Sequence, residues 1–176
     1  PEVLRRILAA DDVYQGIMCY TATEAAFLAR QGFDDLLLGY PQWHAEALQD
    51  VISLIREGKT ITFMVDCIEH VEQLKRLATA EQVVVPVCID IDMSTDFPGL
   101  HFGVWRSPLT RWEQVRPVAE QIALTKWLRL DGIMGYEAQI AGVGDQVPGQ
   151  SVKNALIRRL KKTSIRKAAQ WRAEVT

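Results

Sequence analysis

The stretch VVVPVCIDID, residues 83–92, decides how the fold is interpreted. Its residues 83–91 are nearly continuous in apolar side chains rather than alternating with polar ones, and residues 36–38 repeat this pattern as Leu-Leu-Leu. Strands that are buried on both faces have such sequences, which are typical of parallel sheets covered by helices. The stretch therefore predicts an α/β protein with a parallel sheet.

Working outward from this stretch, apolar runs alternate with segments of helical periodicity. We predict strands over residues 15–20, 35–40, 60–65, 83–91 and 130–136, and helices over 3–9, 22–31, 42–57, 67–80, 111–128 and 151–173. Such a series of βα units forms either a doubly wound sheet or a (β/α)₈ barrel.

Glycine placement separates these two folds. A dinucleotide-binding or P-loop sheet needs a glycine fingerprint after an early strand, and the only GxG, residues 142–144, is late and has Val147 in the third glycine position. The absence of a glycine fingerprint after an early strand therefore favours a TIM barrel. Because only about five of eight units are present, we predict one partial barrel domain over residues 1–176.

Three predicted helix starts have the spacing of a capping box, in which two side chains satisfy early helix N–H groups. The pairs are Thr21 with Glu24, Asp66 with Glu69, and Thr110 with Glu113.

The composition is that of a globular protein. The chain is 48% hydrophobic and 24% charged, with a formal net charge of −2, which excludes intrinsic disorder and a disulfide mini-protein. The three cysteines form no CxxC pair, no apolar run reaches the ~20 residues of a membrane helix, and the start resembles no signal peptide. We therefore expect a cytoplasmic protein with reduced thiols and no membrane partner.

Positive charge is concentrated in the final segment, which we describe as a basic helical segment over residues 150–176. Residues 151–176 have a balance of +7, against −9 for residues 1–150. This segment is either a nucleic-acid or partner-binding arm, or a helix docked through an apolar stripe formed by Val152, Leu156, Ile157 and Leu160. We favour the docked helix and expect no nucleic-acid partner.

Candidate chemical groups lie at the predicted carboxyl ends of strands, where active sites of both α/β architectures occur. Asp90 and Asp92 are two residues apart and point to one side of an extended strand. With Asp66 or Glu137 they form either a metal or acid/base site, or a set of turn and helix caps.

The other ionisable side chains have different positions. His101 lies in the loop after the fourth strand, where a side chain can face a ligand, whereas His44 and His70 are expected on helix surfaces. No GxSxG elbow is present, and none of the lysines falls at the carboxyl end of a strand, where a Schiff-base lysine is needed.

Two segments resemble a known family. Residues 87–93 (VCIDIDM), followed by residues 101–104 (HFGV), resemble the D-x-G-M-x-R-x-G segment of alanine racemase-type pyridoxal-phosphate barrels. Residues 130–137 (LDGIMGYE) with Gln139 resemble the next strand of that superfamily, and the Arg-Ser-Pro turn at residues 106–108 also matches. The branch that contains D-threonine aldolases and D-serine dehydratases is the most similar.

The resemblance implies a fold type III pyridoxal-phosphate enzyme that acts as an aldolase, racemase or deaminase on a D-amino acid or a β-hydroxy amino acid. It makes Tyr136 and His101 the candidate catalytic residues, and it assigns cofactor binding to these two residues with Asp90 and Gln139. His101 stands where many members have an arginine that faces the phenolic oxygen of the cofactor. Asp92 replaces the glycine of the motif, and residues 94–100 are interpreted as an insertion.

The resemblance also implies parts outside these residues. The cofactor lysine of the family precedes the position of Pro1, while the phosphate-binding loops, the divalent-metal ligands of the aldolase branch and the C-terminal β domain follow that of Thr176. We therefore interpret the chain as an internal segment of a longer homo-oligomeric enzyme, assign no metal ligand within it, and expect weak cofactor binding and no turnover from it alone.

Two alternatives to this enzyme segment remain. One is a non-catalytic βα protein that binds a partner through its basic tail. The other is a metal-dependent barrel lyase that uses Asp90, Asp92 and Glu137.

Overall fold

The computed structural model describes residues 1–175, which form helices and strands in alternation. The helices are α1 (Glu2–Leu8), α2 (Ala22–Arg30), α3 (Ala45–Arg56), α4 (Ile68–Glu81), α5 (Trp112–Ala123), α6 (Ala138–Ala141) and α7 (Ser151–Val175). The strands are β1 (Ile17–Cys19), β2 (Leu36–Leu38), β3 (Ile61–Val65), β4 (Val85–Asp92), β5 (Thr95–Phe97), β6 (Leu100–Phe102) and β7 (Leu128–Tyr136).

Five strands form one sheet in the order β1-β2-β3-β4-β7. The pairs from β1 to β4 are parallel, with Ile17 opposite Leu36, Leu36 opposite Ile61, and Phe63 opposite Val87. All eight residues of β4 are buried. The predicted parallel sheet is therefore confirmed, with strands that begin or end up to two residues from the predicted bounds.

The chain divides into two compact units, residues 1–89 with 117–133, and residues 90–116 with the chain from residue 134 onward. In the first unit, α3 places Leu48, Val51, Ile52 and Ile55 at helical spacing on its buried side. Burial of each such side chain contributes about 1.5–3 kcal/mol. The core of this unit therefore follows directly from the periodicity of the sequence.

The second unit contains an antiparallel hairpin that was not predicted. Strands β5 and β6 pair Thr95 with Phe102, and Gly99 at the turn has φ +72°. Pro followed by Gly is the signature of a tight turn, because Pro presets its own φ and Gly tolerates a positive φ. Residues 94–100, interpreted from sequence as an insertion, are largely this hairpin.

The capping predictions were correct in part at one helix of three, because the carboxylate of Glu24 reaches back to the N–H of Tyr20 rather than to that of Thr21. Thr21 Oγ1 accepts from the backbone N–H of Glu24 at 3.1 Å. The prediction for Asp66 was wrong, because Cys67 is the N-cap of α4 and Asp66 contacts His70 instead. The prediction for Thr110 was also wrong, because its backbone N–H and hydroxyl both donate to Gln114.

The basic segment is a long helix, α7, whose buried side differs from the predicted stripe. Val152 and Leu156 are 83% and 56% exposed, so the prediction that they dock was wrong, although Ile157 is buried. The other buried residues of α7 are small or polar: Asn154, Ser164 and Ala168. Asn154 is buried because its amide bonds both backbone groups of Val147, which fastens the start of the helix.

Several positive charges of α7 contact groups of the same unit. The guanidinium of Arg158 donates to the carbonyl of Asp145, Lys167 donates to the carbonyl of Asp96, and Arg172 pairs with Glu137. Across residues 1–175, no helix combines the length and the apolar character that crossing a bilayer requires.

Candidate functional site

The second unit begins with a buried ion pair at the carboxyl end of β4. Asp90 is fully buried, and Arg106 Nε lies 3.2 Å from its Oδ1 and 2.9 Å from its Oδ2. The side chain of Arg106 is only 8% exposed. Breaking such a pair leaves a buried charge without compensation, so Asp90 and Arg106 each fix the position of the other.

Asp92 holds the loop that presents Arg106. Its Oδ1 accepts from the backbone N–H of Ser94 at 2.8 Å, and its Oδ2 accepts from the backbone N–H of Arg106 at 3.0 Å. Its own carbonyl accepts from the indole N–H of Trp171 on α7. The aspartate that stands in place of the motif glycine therefore has a positioning role in the structure.

The Arg-Ser-Pro turn adds a second tie to β4. Ser107 Oγ donates to the carbonyl of Asp90 at 2.7 Å and accepts from the backbone N–H of Leu109 at 3.1 Å. The turn after the hairpin is therefore joined to β4 at two consecutive residues, at Arg106 through Asp92 and at Ser107 through the carbonyl of Asp90.

Tyr136 ends β7 and lies beside Arg106. The guanidinium carbon is 5.8 Å from the centroid of the phenol ring, within the range of a cation–π contact. Tyr136 is about half exposed, unlike Asp90 and Arg106. The structure therefore brings two of the predicted site residues, Asp90 and Tyr136, to one arginine.

His101 and Gln139, the other two predicted site residues, line a cleft of about 340 Å³ with Gly103 and the start of α6. His101 Nδ1 is 2.8 Å from Asp96 Oδ1, and its ring stacks on that of Trp105 with centroids 3.5 Å apart. Its second nitrogen, Nε2, is buried without a hydrogen-bond partner among residues 1–175.

Gln139 is almost completely buried, and its side-chain amide has one satisfied end. Nε2 donates to the carbonyl of Met93, while Oε1 has no partner within the described part of the chain. Buried polar groups are normally hydrogen-bonded, so two such atoms on one cleft indicate a place for a polar ligand or water. Gly103 is needed here because a Cβ would lie 2.5 Å from Ser94 Cβ.

The carboxylates predicted as a possible metal group are separated by their contacts. Asp90 and Asp92 are directed to the side chain and backbone of Arg106, and Glu137 pairs with Arg172. This arrangement does not favour the metal-dependent lyase. Arg106 was predicted to lie in a turn, without a functional role, and no motif in the sequence identifies it as the partner of Asp90.

Six of the seven lysines occupy the positions predicted for them, whereas Lys126, predicted on a helix, lies in the turn between α5 and β7. Lys59 precedes β3 and Lys126 precedes β7, while the others lie on α4 or α7. None of the seven stands at the carboxyl end of a strand of the sheet, and all of them fall within the described residues.

In the first unit, the contact between Asp66 and His70 forms part of a second polar cluster. His70 is 7% exposed, so its predicted surface position was wrong, and Trp43 packs on its ring. The sulfur of Cys67 lies 3.1 Å from His70 Nδ1, and burial is the main cause that raises the pKa of this thiol.

The five strands of the main sheet follow one another in chain order, without the reversal of a doubly wound sheet, and this order is typical of a (β/α)-barrel type of protein. The sequence profile of the family described as "Alanine racemase, N-terminal domain" matches residues 2–171, and the chain belongs to this family. The expected family and TIM-barrel fold class are thereby confirmed.

Three known proteins illustrate the relationship. The chain is 25% identical over 129 residues to 3-hydroxy-D-aspartate aldolase of Paracoccus denitrificans, a match that covers 73% of this chain and 31% of that protein. It superposes on D-threonine aldolase from Filomicrobium marinum with a TM-score of 0.70 at 17% identity, covering 94% of this chain and 42% of the other. It superposes on alanine racemase of Clostridium difficile 630 in complex with cycloserine with a TM-score of 0.61 at 20% identity, covering 96% and 41%.

The chain thus spans less than half the length of each of these relatives. The alanine racemase and D-threonine aldolase families use pyridoxal phosphate. The residues at the carboxyl ends of β4 and β7 fit such an anionic group in charge, because a buried arginine fixed by an aspartate stands beside an aromatic ring. They fit a non-covalent part of its site, since none of the seven lysines is placed there.

Proposed function

We propose that this chain forms part of the cofactor-facing wall of a pyridoxal-phosphate-dependent aldolase, racemase or deaminase of D-amino or β-hydroxy amino acids. The observation that carries the proposal is the contact series Asp90–Arg106–Tyr136, in which two sequence-predicted residues meet at one buried cation. Family membership supports the same assignment.

Arg106 supplies a fixed positive charge to this wall. Its guanidinium cannot lose its proton in a protein, and Asp90 holds its plane in place. An anionic oxygen of the cofactor is the group that such a donor recognises. In this role Arg106 takes the place that the sequence resemblance assigned to His101.

Tyr136 supplies an aromatic surface and a hydroxyl at the same position. Its ring covers the guanidinium, and its partial exposure leaves the phenol accessible to a bound ligand. When bound, pyridoxal phosphate supplies the electron sink that lets a bond to Cα of an amino acid break. Arg106 and Tyr136 orient that group.

His101 and Gln139 are suited to a substrate group that donates hydrogen bonds. The carboxylate of Asp96 accepts from Nδ1–H, and in this tautomer Nε2 is the ring nitrogen that can accept a hydrogen bond. Gln139 uses its donor on Met93 and presents its oxygen. These two acceptors belong to residues that line one cleft, and they match an ammonium or hydroxyl group, both of which a β-hydroxy amino acid carries.

The assembly and compartment of the chain also belong to this proposal. We infer self-association, because β1 lies at one end of the sheet order and carries exposed Met18. Light scattering that shows a uniform monomer would contradict it. Three free cysteines support a reducing compartment such as the cytoplasm.

The decisive experiment for the proposed function is binding of 4′-deoxypyridoxine 5′-phosphate, a cofactor analogue without the aldehyde that would react with surface lysines. We expect weak saturable binding by the chain and an affinity lower by about tenfold, or ~1.4 kcal/mol, in Arg106→Lys. Lysine keeps the charge beside Asp90 but loses the planar fork, so the fold is retained while recognition is not.

Arg111→Lys is the matched control, because Arg111 is exposed and lies outside this contact series. Saturation that is identical in wild type and Arg106→Lys would contradict the proposal. So would the absence of any binding by folded wild-type protein.

A further inference from the structure

We propose that Asp66, Cys67 and His70 form a binding site for a borderline-soft divalent cation, of which Zn²⁺ is the representative. The site lies in the first unit, where β3 leads into α4, and its residues play no part in the function proposed above. Failure of one proposal therefore leaves the other intact.

Two side chains of the cluster converge on one nitrogen atom of the third. Asp66 Oδ1 lies 2.8 Å and Cys67 Sγ lies 3.1 Å from one atom, His70 Nδ1, and the three potential ligand atoms all lie within 4.8 Å of one another. An oxygen, a sulfur and an imidazole nitrogen are the donor atoms that Zn²⁺ uses in proteins. Mg²⁺ and Ca²⁺ prefer oxygen donors only, so the set discriminates against them.

Asp66 and Cys67 compete for the same atom, His70 Nδ1. This nitrogen carries either one proton or one lone pair, so it cannot be a donor to Asp66 and an acceptor from the Cys67 thiol at once. The other ring nitrogen, Nε2, is buried without a partner among residues 1–175, so the polar contacts of the ring are made at Nδ1. A cation bound by all three atoms satisfies both contacts.

A cysteine stands at the start of α4, where a capping side chain is expected. Cys67 is the N-cap of this helix, and its side chain makes no capping hydrogen bond. Ser, Thr, Asp and Asn stabilise this position, whereas a cysteine turned to a histidine gives no such bond. The cap position thus presents a sulfur, a weak acceptor, to the side chain of His70.

The surroundings fit a bound cation with one open position. The ring of Trp43 packs at 4.4 Å from that of His70 and holds the imidazole in place. The carboxylate of Glu69 acts on the Cys67 thiol as well and adds negative charge beside the cluster. Asp66 and Cys67 are partly exposed, so three protein ligands leave room for a water on the solvent side.

The test is titration of the reduced, EDTA-treated chain with Co²⁺, a spectroscopic substitute for Zn²⁺. We expect one equivalent to produce the sulfur-to-cobalt charge-transfer band with tetrahedral visible bands, and Zn²⁺ to bleach both. Cys67→Ser is expected to lose the charge-transfer band. Because serine is a good N-cap, this variant keeps the metal-free fold while removing the sulfur.

His44→Asn is the matched control. His44 caps α3 through its imidazole, and asparagine retains a capping acceptor, so its spectrum with Co²⁺ should equal that of wild type. The proposal is overturned if wild type gives no charge-transfer band, or if the band survives in Cys67→Ser.

Discussion

At the scale of single residues, the site depends on one buried ion pair. Asp90 and Arg106 are separated by the hairpin in sequence, and only Asp90 was predicted to take part. Sequence reasoning found the aspartate because it ends an apolar strand. Arg106 was not assigned a role, because the sequence does not reveal which of the charged residues after the hairpin contacts the strand.

Asp90→Asn should destabilise the chain strongly. The substitution leaves the Arg106 guanidinium buried without its counter-charge, which costs about 3–5 kcal/mol when one partner of a buried pair is removed. Urea unfolding followed by circular dichroism measures this loss. Asp50→Asn, which breaks the exposed pair with Arg30, should cost less than about 1 kcal/mol, and equal losses would contradict the assignment.

The thiol of Cys19 gives a pH-dependent prediction. Burial, with a smaller contribution from Glu24, raises the pKa of Cys19 from 9.0 to about 11. Above pH 9 the unfolded chain therefore releases this proton before the native chain does, so the free energy of unfolding falls as the pH rises toward 11.

Urea unfolding at pH 8, 9 and 10 measures that decline. In Cys19→Ala the part of the decline that belongs to the thiol should disappear, while the titration of other groups remains as background. A pH dependence identical to that of wild type would show that the Cys19 thiol titrates alike in the folded and unfolded chain.

At the scale of elements, the sheet and its helices could be predicted, whereas the hairpin and the caps of α4 and α5 could not. Five apolar runs became five strands because burial on both faces leaves an unambiguous pattern. The capping residues of α4 and α5 were misassigned because side chains at several spacings compete for the same N–H groups. Asp66 contacts His70, and Thr110 donates to Gln114 rather than interacting with Glu113.

Two glycines of the hairpin region should respond differently to alanine. Gly99 has φ +72° and open space where a Cβ would lie, so Gly99→Ala should cost about 1 kcal/mol from the backbone alone. Gly103 also has a positive φ, and its Cβ would lie 2.5 Å from Ser94 Cβ. Gly103→Ala should therefore lose clearly more stability in urea, and an equal loss would show that Ser94 moves aside without cost.

At the scale of the whole molecule, the sequence resemblance and the fold indicate the same family. The chain corresponds to only part of the length of its relatives. The chain covers 42% of the D-threonine aldolase it superposes on, and this part contains the Asp90, Arg106 and Tyr136 contacts that we propose orient the cofactor. The choice among aldolase, racemase and deaminase chemistry depends on further groups at the reacting carbon. None of the lysines in this chain supplies a covalent anchor at the strand ends.

The proposed contact of Arg106 and Tyr136 with the cofactor is tested most directly by nitrogen-15 NMR of the arginine side chains during titration with 4′-deoxypyridoxine 5′-phosphate. We predict that the Nε–H signal of Arg106 and the backbone signal of Tyr136 shift together and saturate at the same concentration. Arg129 is the internal control, because its Nε is paired with Asp131 in the first unit and should not respond. An unchanged Arg106 signal at saturating analogue, or equal shifts at Arg129, would contradict the claim that Arg106 and Tyr136 face the cofactor.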